Sequence, residues 1–403
     1  MIQALSEAES ARQAGKSWLD AALQASRRDT LATFAVVERG LQGLRVPQRE
    51  TFNPPLWELG HIGWFQEYWL ARNPARAAGA EADPAALRLA GLRPNADALY
   101  DSSAVPHATR WSLPLPRPDA TRRDLEHQLE TTLALLGEAS DDQASLYFFR
   151  LALLHEDMHH EAALYMTQSL GLAIDDPRWQ AEALAASRRE LSFDAGHWDL
   201  GHSDQGFAFD NELAANRVEL PATRIDCRVV RWDEYLPFVE AGGYSQPQWW
   251  TETGAAWLAA EQAEAPRYLR RESGRWEQWR HGAWRELDLR LAACHMTAHE
   301  AQAWCRWAGR RLPTEAEWER AAVTQPEAFE WGQVWEWTAS PFLPYPGFAP
   351  HPYRDYSAPW FGNRVVLRGA SFMTQPRMRH PRYRNFFASA RNDVAAGFRS
   401  CAA

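Results

Sequence analysis

Apolar residues recur at intervals of three and four positions through much of the first 170 residues, which is the spacing of an amphipathic helix. Residues 121–136 and 145–170 show this pattern most clearly. Asn53 and the two prolines that follow it are typical of a helix start, and that helix should run to about Ala71. The pattern as a whole predicts four long helices, the number found in a four-helix bundle.

The pattern changes after residue 175. Residues 175–190 lack helical periodicity and are interpreted as a linker. Beyond it, short apolar runs such as 193–200 and 224–230 alternate with Gly, Asp and Asn, which predicts short strands. Two short helices are predicted among them, at 231–241 and 297–308. The second half of the chain therefore reads as irregular and loop-rich.

Length and charge limit the number of domains and the class of partner. A chain of 403 residues exceeds the usual size of a single core. We therefore predict an α+β multidomain protein with a helical bundle at 1–175 and a second domain at 190–403. The net charge of −9 argues against a nucleic-acid partner, because such proteins usually carry a basic surface.

The sequence also predicts a cytoplasmic protein without a membrane contact. No window approaches the ~18 uninterrupted apolar residues of a membrane span, and residues 1–20 lack the apolar core of a signal peptide. Four scattered cysteines without a CxxC pair fit a reducing compartment. They are Cys227, Cys294, Cys305 and Cys401.

A pair of histidines is the first candidate for chemistry. His155 and His159 are four residues apart in a predicted helix, so they lie on one face and could hold one metal ion. With Glu156 they also match the HExxH pattern of zinc peptidases, in which the glutamate is the general base. The alternative is that both histidines are polar residues on an exposed helix face.

His61 is a third candidate ligand and supports the metal-binding interpretation of the histidine pair. It lies in the middle of a second, aromatic helix at 57–69, where a lone histidine would be costly to bury without a partner. The alternative is a core histidine with its own hydrogen bonds. Imidazole suits iron, zinc, copper and nickel, so the three residues do not name the metal. His107 and His160 are not assigned to it, because His160 is turned by about 100° from His159.

Several motifs in order along the chain resemble the ergothioneine synthase type of non-haem iron enzyme and its relative, selenoneine synthase. In the first half these are the residues around His61 and the segment 155–161, in a bundle of the DinB type. In the second half they look like the formylglycine-generating-enzyme domain, a variant of the C-type lectin fold. Those motifs are RLPTEAEWE at 311–319, VWEWT at 334–338, LRGAS at 367–371 and GFR at 397–399.

The resemblance implies a reaction and a cofactor. Enzymes of this type use Fe(II) and O2 to join a sulfur or selenium nucleophile to C2 of the imidazole of hercynine, which is trimethylated histidine. By position, His61, His155 and His159 match the metal ligands. The partners expected for this chain are therefore small molecules: hercynine, O2 and a selenosugar or thiol. The sequence is equally compatible with a monomer and an oligomer.

Further site residues follow only from the resemblance. Tyr353 matches the tyrosine that supplies a proton or hydrogen atom near the bound oxygen, and Tyr356 matches its companion. Asn385 and Phe386 match residues around the hercynine trimethylammonium and carboxylate. An aromatic residue suits this place, because a quaternary ammonium donates no ordinary hydrogen bond and is attracted to ring faces.

Departures from the family pattern bear on the second substrate. Phe387 stands where relatives that use cysteine can have an aspartate, and residues 100–105 lack the arginines that receive γ-glutamylcysteine. Arg391 does match an arginine near that site, and Met158 replaces a glutamine that contacts the imidazole. The loss of charged groups favours a less charged donor, such as a selenosugar.

The resulting expectation is a selenoneine synthase that couples hercynine to a selenosugar. The first alternative is an ergothioneine-type sulfoxide synthase that joins hercynine to cysteine or γ-glutamylcysteine. A zinc hydrolase with Glu156 as its base and a non-catalytic binding module are the alternatives from other functional classes.

Overall fold

The computed structural model describes residues 5–202, 206–213 and 215–403. Within these ranges, six α-helices precede the first strand and four lie among the later strands. They are α1 (Glu7–Gln13), α2 (Lys16–Gly40), α3 (Pro55–Trp69), α4 (Ala96–Tyr100), α5 (Pro118–Glu138), α6 (Gln143–Leu170), α7 (Trp232–Glu240), α8 (Glu252–Glu261), α9 (Ala298–Trp307) and α10 (Glu315–Thr324).

The four long helices of the first half are α2, α3, α5 and α6, as predicted. Helix α2 packs against α6 and α5, and α3 packs against α5 and α6, so the four form a bundle. Helix α6 begins where the Asp142 side chain accepts the N–H of Ser145, and it ends at Gly171 in the left-handed conformation. The predicted end of α3 at Ala71 is two residues too late.

Thirteen strands are found in the described ranges, and all of them follow α6. They are β1 (Glu190–Phe193), β2 (Gly196–Leu200), β3 (Asn216–Leu220), β4 (Thr223–Asp226), β5 (Leu269–Glu272), β6 (Arg275–Arg280), β7 (Ala283–Glu286), β8 (Arg310–Arg311), β9 (Val334–Pro341), β10 (Val365–Ala370), β11 (Asn385–Phe387), β12 (Ala396–Gly397) and β13 (Cys401–Ala402).

These strands form four small sheets, with the orders β1-β4-β13-β8, β11-β10-β9-β12, β2-β3 and β5-β6-β7. The short run predicted at 193–200 contains the end of β1 and the whole of β2, because the chain bends at residues 194–195 and passes from one sheet to another. The strand predicted at 224–230 ends early, at Asp226. Helices α7 and α9 lie where the sequence predicted them, and α9 begins with a capping box between Thr297 and Glu300.

The largest hydrophobic core contains residues of both halves. Trp57 and Phe149 from the bundle belong to the same cluster as Trp337 and Phe398 from the strands. A buried ion pair also joins the halves, because the guanidinium of Arg377 contacts the carboxylate of Asp157 at 2.7 and 2.9 Å. The helices and sheets therefore share one interior, and the domain division at 175–190 stays a prediction.

In the ranges that the structure describes, no helix is both long and apolar enough to cross a membrane.

Candidate metal centre

Three histidine side chains converge between α3 and α6. His155 and His159 lie one turn apart on α6, and His61 faces them from α3. One nitrogen from each ring can be chosen so that all three lie within 4.8 Å of one another. The ring centroids are 4.4 to 5.1 Å apart. The structure thus brings together the three residues that the sequence singled out.

Two of the three rings are oriented by hydrogen bonds. His61 Nδ1 donates to the carbonyl oxygen of Tyr100 at 2.8 Å, and His159 Nδ1 contacts the carboxylate of Glu58. Because Nδ1 is engaged in each ring, Nε2 of the neutral ring keeps its lone pair for a metal. Burial opposes the charge on Glu58, but His159, His61 and Asn53 together lower the pKa of this carboxyl to about 2.

His155 shows most directly that these residues fit a metal. Its side chain is 2% exposed, and neither ring nitrogen has a hydrogen-bond partner among the residues that the structure describes. The ring stacks on Phe65 at a centroid distance of 3.5 Å. Burial, followed by the nearby His159 and His61, lowers its pKa well below the ordinary value, so the ring is neutral. A buried imidazole without partners is costly, and a bound metal ion would relieve that cost.

Glu156 does not take part in this cluster. Its carboxylate accepts two hydrogen bonds from the Arg27 guanidinium, at 2.8 and 3.1 Å, and is buried there. The same arginine also donates to Gln66 and to the carbonyl of Leu125. Glu156 therefore faces away from the three histidines, and the peptidase interpretation lacks its general base.

The two histidines that were left unassigned also have other partners. His160 lies within hydrogen-bond distance of the Thr33 hydroxyl and the Gln375 amide. His107 donates through Nε2 to the carbonyl oxygen of Phe52 at 2.7 Å. Their exclusion from the metal centre agrees with these contacts.

A cavity of about 250 Å³, here called cavity A, opens beside His159. It lies between α6 and the edge strand β11, and aromatic side chains form much of its wall. Five residues that were predicted to bind substrate or take part in catalysis line it, namely Met158, Tyr356, Asn385, Phe386 and Phe387. Its other lining residues are His159, Glu161, Ala162, Tyr165, Trp335, Met378, Tyr383 and Val394.

Side-chain contacts fix the walls of cavity A. Phe386 stacks on Phe342 with the ring centroids 4.0 Å apart. The hydroxyls of Tyr356 and Tyr383 are 2.9 Å apart, and the Tyr383 hydroxyl also lies 3.5 Å from the sulfur of Met158. Asn385 accepts the N–H of Phe386 through its own side-chain oxygen at 2.9 Å. The cavity is thus built largely of rings.

Arg391 lies behind this wall. Its guanidinium forms a two-pronged ion pair with the carboxylate of Asp393. It also lies over the rings of Tyr165 and Phe387, 5.4 and 5.0 Å from their centroids. Its charge is therefore already paired, and it reaches cavity A through the rings that it supports.

A second cavity of about 280 Å³, cavity B, lies on the other side of the tyrosines. Aromatic residues of α3 form one wall and two loops form the other. Tyr353 and Phe65 line it, with their ring centroids 4.9 Å apart, and the ring centroid of Tyr353 lies 6.2 Å from that of His155. The remaining lining residues are Trp64, Tyr68, Trp69, Pro84, Ala85, Asp101, Ser102, Ser103, Pro352, Arg354 and Asp355.

Known proteins with similar sequences identify the family of this chain. The hercynine oxygenase of Mycobacterium tuberculosis is 32% identical, over 86% of this chain and 90% of that protein. The enzyme of the same name from Mycolicibacterium thermoresistibile is 31% identical, over 91% of each chain. This chain belongs to the hercynine oxygenase family. The predicted resemblance is thereby confirmed.

The second half of this hercynine oxygenase family member has relatives of its own. Residues 180–333 match the family described as the sulfatase-modifying factor enzyme 1-like domain. The formylglycine-generating enzyme of Bos taurus is 29% identical over 152 residues, which is 34% of this chain and 41% of that protein. The α+β multidomain fold class predicted from the sequence is therefore confirmed.

The sequence did not identify several residues that surround the metal centre and cavity A. Glu58 precedes His61 by three residues, so the spacing already placed both on one face of α3. Glu161 and Tyr165 follow Met158 at similar helical intervals on α6. One oxygen of Glu161 accepts hydrogen bonds from Trp335, Ser371 and Thr374, and burial raises the pKa of its carboxyl. Trp335 and Tyr383 have no helical spacing to a predicted site residue, so that signal could not have found them.

Proposed function

We propose that this chain is a selenoneine synthase, which uses Fe(II) and O2 to join C2 of the hercynine imidazole to the selenium of a selenosugar. The observation that carries the proposal is the buried cluster of three histidines beside an aromatic cavity, in a member of the hercynine oxygenase family. His61, His155 and His159 would hold the ion. When bound, Fe(II) would activate O2, and the selenol and the hercynine C2–H would supply the electrons and protons with which it is reduced.

Cavity A suits hercynine, whose trimethylammonium group is a permanent cation. The rings of Trp335, Phe386 and Phe387 line it, and ring faces attract such a cation. Glu161 adds a carboxylate to the same wall. Because His159 lines this cavity as well, an imidazole bound here would lie next to the candidate metal centre.

Cavity B suits a donor that is rich in hydroxyl groups and carries little charge. Trp64, Tyr68 and Trp69 offer apolar ring surfaces, as ligand pockets commonly do. Ser102 and Ser103 on the opposite wall can donate and accept hydrogen bonds. A sugar that carries a selenol has the matching chemistry.

The charges of cavity B also favour such a donor. Asp101 and Asp355 line it against a single cation, Arg354. γ-Glutamylcysteine brings two carboxylates, which these two acids would repel. Arg391 offers little compensation, because Asp393 already occupies its guanidinium.

Tyr353 and Tyr356 stand between the two cavities, with their ring centroids 5.9 Å apart. Burial raises the pKa of the Tyr353 hydroxyl, so this group keeps its proton at neutral pH. We infer that Tyr353 supplies a proton or hydrogen atom next to the metal centre and that Tyr356 supports it. Water is restricted there by the rings of Phe65 and Trp69, which pack against Tyr353.

The second candidate is an ergothioneine-type sulfoxide synthase, which joins hercynine to cysteine or γ-glutamylcysteine. Arg354 favours it, because its guanidinium lines cavity B and could pair with one carboxylate of a thiol donor. This activity would use the same metal centre and the same cavity for hercynine.

A competition experiment tests the choice of donor. Iron-loaded protein receives hercynine and O2 together with the selenosugar, cysteine and γ-glutamylcysteine at equal concentrations, and the products are measured by mass spectrometry. We expect the selenium product to form fastest. Faster turnover of either thiol would replace the proposal by the second candidate.

Metal analysis tests the proposed enzyme class. Protein purified without oxygen should contain iron, and its O2 consumption should require both hercynine and a chalcogen donor. Zinc together with peptidase activity would establish the hydrolase instead. Ligand binding without any O2 consumption would establish a binding module.

A further inference from the structure

The two tyrosines between the cavities lie on a segment with little regular structure. Residues 351–357, here called the tyrosine loop, contain one 3-10 turn, Arg354–Tyr356. Such a turn makes few hydrogen bonds of its own. The positions of Tyr353 and Tyr356 must therefore depend on contacts with other parts of the chain.

One buried carboxylate holds both ends of the tyrosine loop. Asp210 accepts the backbone N–H of His351 at 3.4 Å through one oxygen. Its other oxygen accepts the hydroxyl of Ser357. Ser357 is completely buried and also accepts a hydrogen bond from the Asn211 amide at 3.0 Å. The first and last residues of the loop are thus tied to one side chain.

The segment that carries Asp210 is itself fixed. Residues 206–213, here called the strap, are joined to α1 by a buried ion pair in which Arg12 contacts Glu212 at 2.6 and 3.0 Å. Arg12 also donates to the carbonyl of Phe207 at 3.1 Å. Phe209 stacks on Tyr356 with 4.4 Å between the ring centroids. The strap therefore connects the helical half to the tyrosine loop.

We propose that the strap is a positioning device for the reaction, in which Asp210 and Ser357 close the tyrosine loop and Phe209 sets the plane of the Tyr356 ring. None of these three side chains lines cavity A or cavity B, so they act through the tyrosines. The inference rests on the proposed function only in that turnover is one of its readouts. It adds residues that sequence reasoning did not assign.

Burying the Asp210 carboxylate costs free energy, which its hydrogen bonds must offset. Its side chain is buried, and burial raises its pKa to about 6. A buried carboxylate is unfavourable unless hydrogen bonds compensate, and here the compensating bonds come from the two ends of the loop. If this position served only to fill space, an apolar residue would do so without that cost.

The test compares two serine variants. Ser357→Ala removes the hydroxyl that contacts Asp210. Ser400→Ala is the matched control, because Ser400 is equally buried and donates to another carboxylate, that of Asp226, at 2.6 Å. Hydrogen exchange of the backbone amides at 351–357 is measured in both variants and in the natural protein. We expect an acceleration of about tenfold in Ser357→Ala and none in Ser400→Ala.

Turnover is the second readout. We expect kcat of Ser357→Ala to fall about tenfold, since small displacements of reacting groups cost about that much or more, while KM for hercynine stays within about twofold. In a Tyr356→Phe background, Ser357→Ala should reduce kcat further by less than about twofold, because both changes disable the same device. Phe209→Leu provides a second variant and should lower kcat without changing the bound metal.

The outcomes separate this inference from the proposed function. Unchanged exchange of the tyrosine loop in Ser357→Ala would overturn the inference whether or not the protein turns over hercynine. Independent, fully multiplied effects of Ser357→Ala and Tyr356→Phe on kcat would overturn it as well. If the natural protein does not consume hercynine, the proposed function fails, and the exchange measurement still decides the role of the strap.

Discussion

Cavities A and B lie near the same histidine cluster, cavity A through His159 and cavity B through Phe65 and Tyr353 beside His155, but they differ in the origin of their walls. Cavity A takes its rings from α6, β9, β11 and two loop tyrosines, Tyr356 and Tyr383, and its acid Glu161 accepts hydrogen bonds from three donors on one oxygen. Cavity B has rings from α3 on one side, and on the other side two loops bring the Tyr353 ring together with serines and charged residues. The two cavities therefore differ in where their polar groups lie. Glu161 and Asn385 of cavity A are on α6 and β11, whereas the acids and serines of cavity B are on loops, which can vary to distinguish one donor from another.

The largest expected effect concerns the metal, which both cavities share. His155→Ala should remove the ion and reduce turnover by about 1,000-fold or more, because a metal contributes several kcal/mol to the transition state. Bound iron and O2 consumption are measured, with His107→Ala as the control. Full activity in His155→Ala would show that the two cavities do not depend on this centre.

The next effect concerns the boundary between the cavities. Tyr353→Phe should keep the metal and both substrate affinities but slow product formation by about 100-fold or divert it, because a positioned proton donor contributes that much. Product and O2 consumption are quantified together. Tyr244→Phe is the control, since it removes a buried hydroxyl that contacts Glu300. An unchanged rate with unchanged products would remove Tyr353 from the mechanism.

A smaller effect should be confined to cavity B. Asp101→Asn removes a charge but keeps an oxygen that can accept the N–H of Ser103. A hydroxyl group of the sugar would bind a charged acceptor more strongly than a neutral amide, so we expect KM for the selenosugar to rise about tenfold. KM for γ-glutamylcysteine should fall because one repelling charge is gone, and KM for hercynine should not change. Asp83→Asn is the control, because Asp83 accepts the N–H of Ala85 in a similar turn. A changed KM for hercynine would contradict the division of roles.

The smallest effect should be confined to cavity A. Phe386→Leu removes a ring, and a cation–π contact of about 1 kcal/mol corresponds to a rise of about fivefold in KM for hercynine. KM for the chalcogen donor should not change. Phe361→Leu is the control, because Phe361 packs on the same Phe342 at 4.8 Å but does not line the cavity. Equal effects of the two variants would mean that only packing was lost.

The sequence predicted the parts of the molecule that depend on local spacing. Helix α6 and the pair His155 and His159 follow from periodicities within one segment. The contact of Glu58 with His159 could not be predicted, because it depends on how α3 and α6 pack. The same holds for cavity B, where residues 101–103 and 352–355 meet through tertiary structure alone.

The errors in the strands have a related cause. The run at 193–200 looks continuous, but its two parts pair with different partners in different sheets, β4 and β3. Pairing with segments outside the run decides where such short strands begin and end, and the pattern within the run does not contain that information. The strap escaped notice for the same reason, since its role comes from contacts with residues about 140 to 200 positions away.

The shared hydrophobic core has a practical consequence. Because bundle and sheets are packed into one interior, the whole chain should melt in a single cooperative transition, and neither half should survive when expressed alone. A ligand that binds only the folded state raises the melting temperature of everything coupled to it. One melting curve, recorded with metal, hercynine or a candidate donor in turn, would therefore screen occupants of either cavity before any product assay exists.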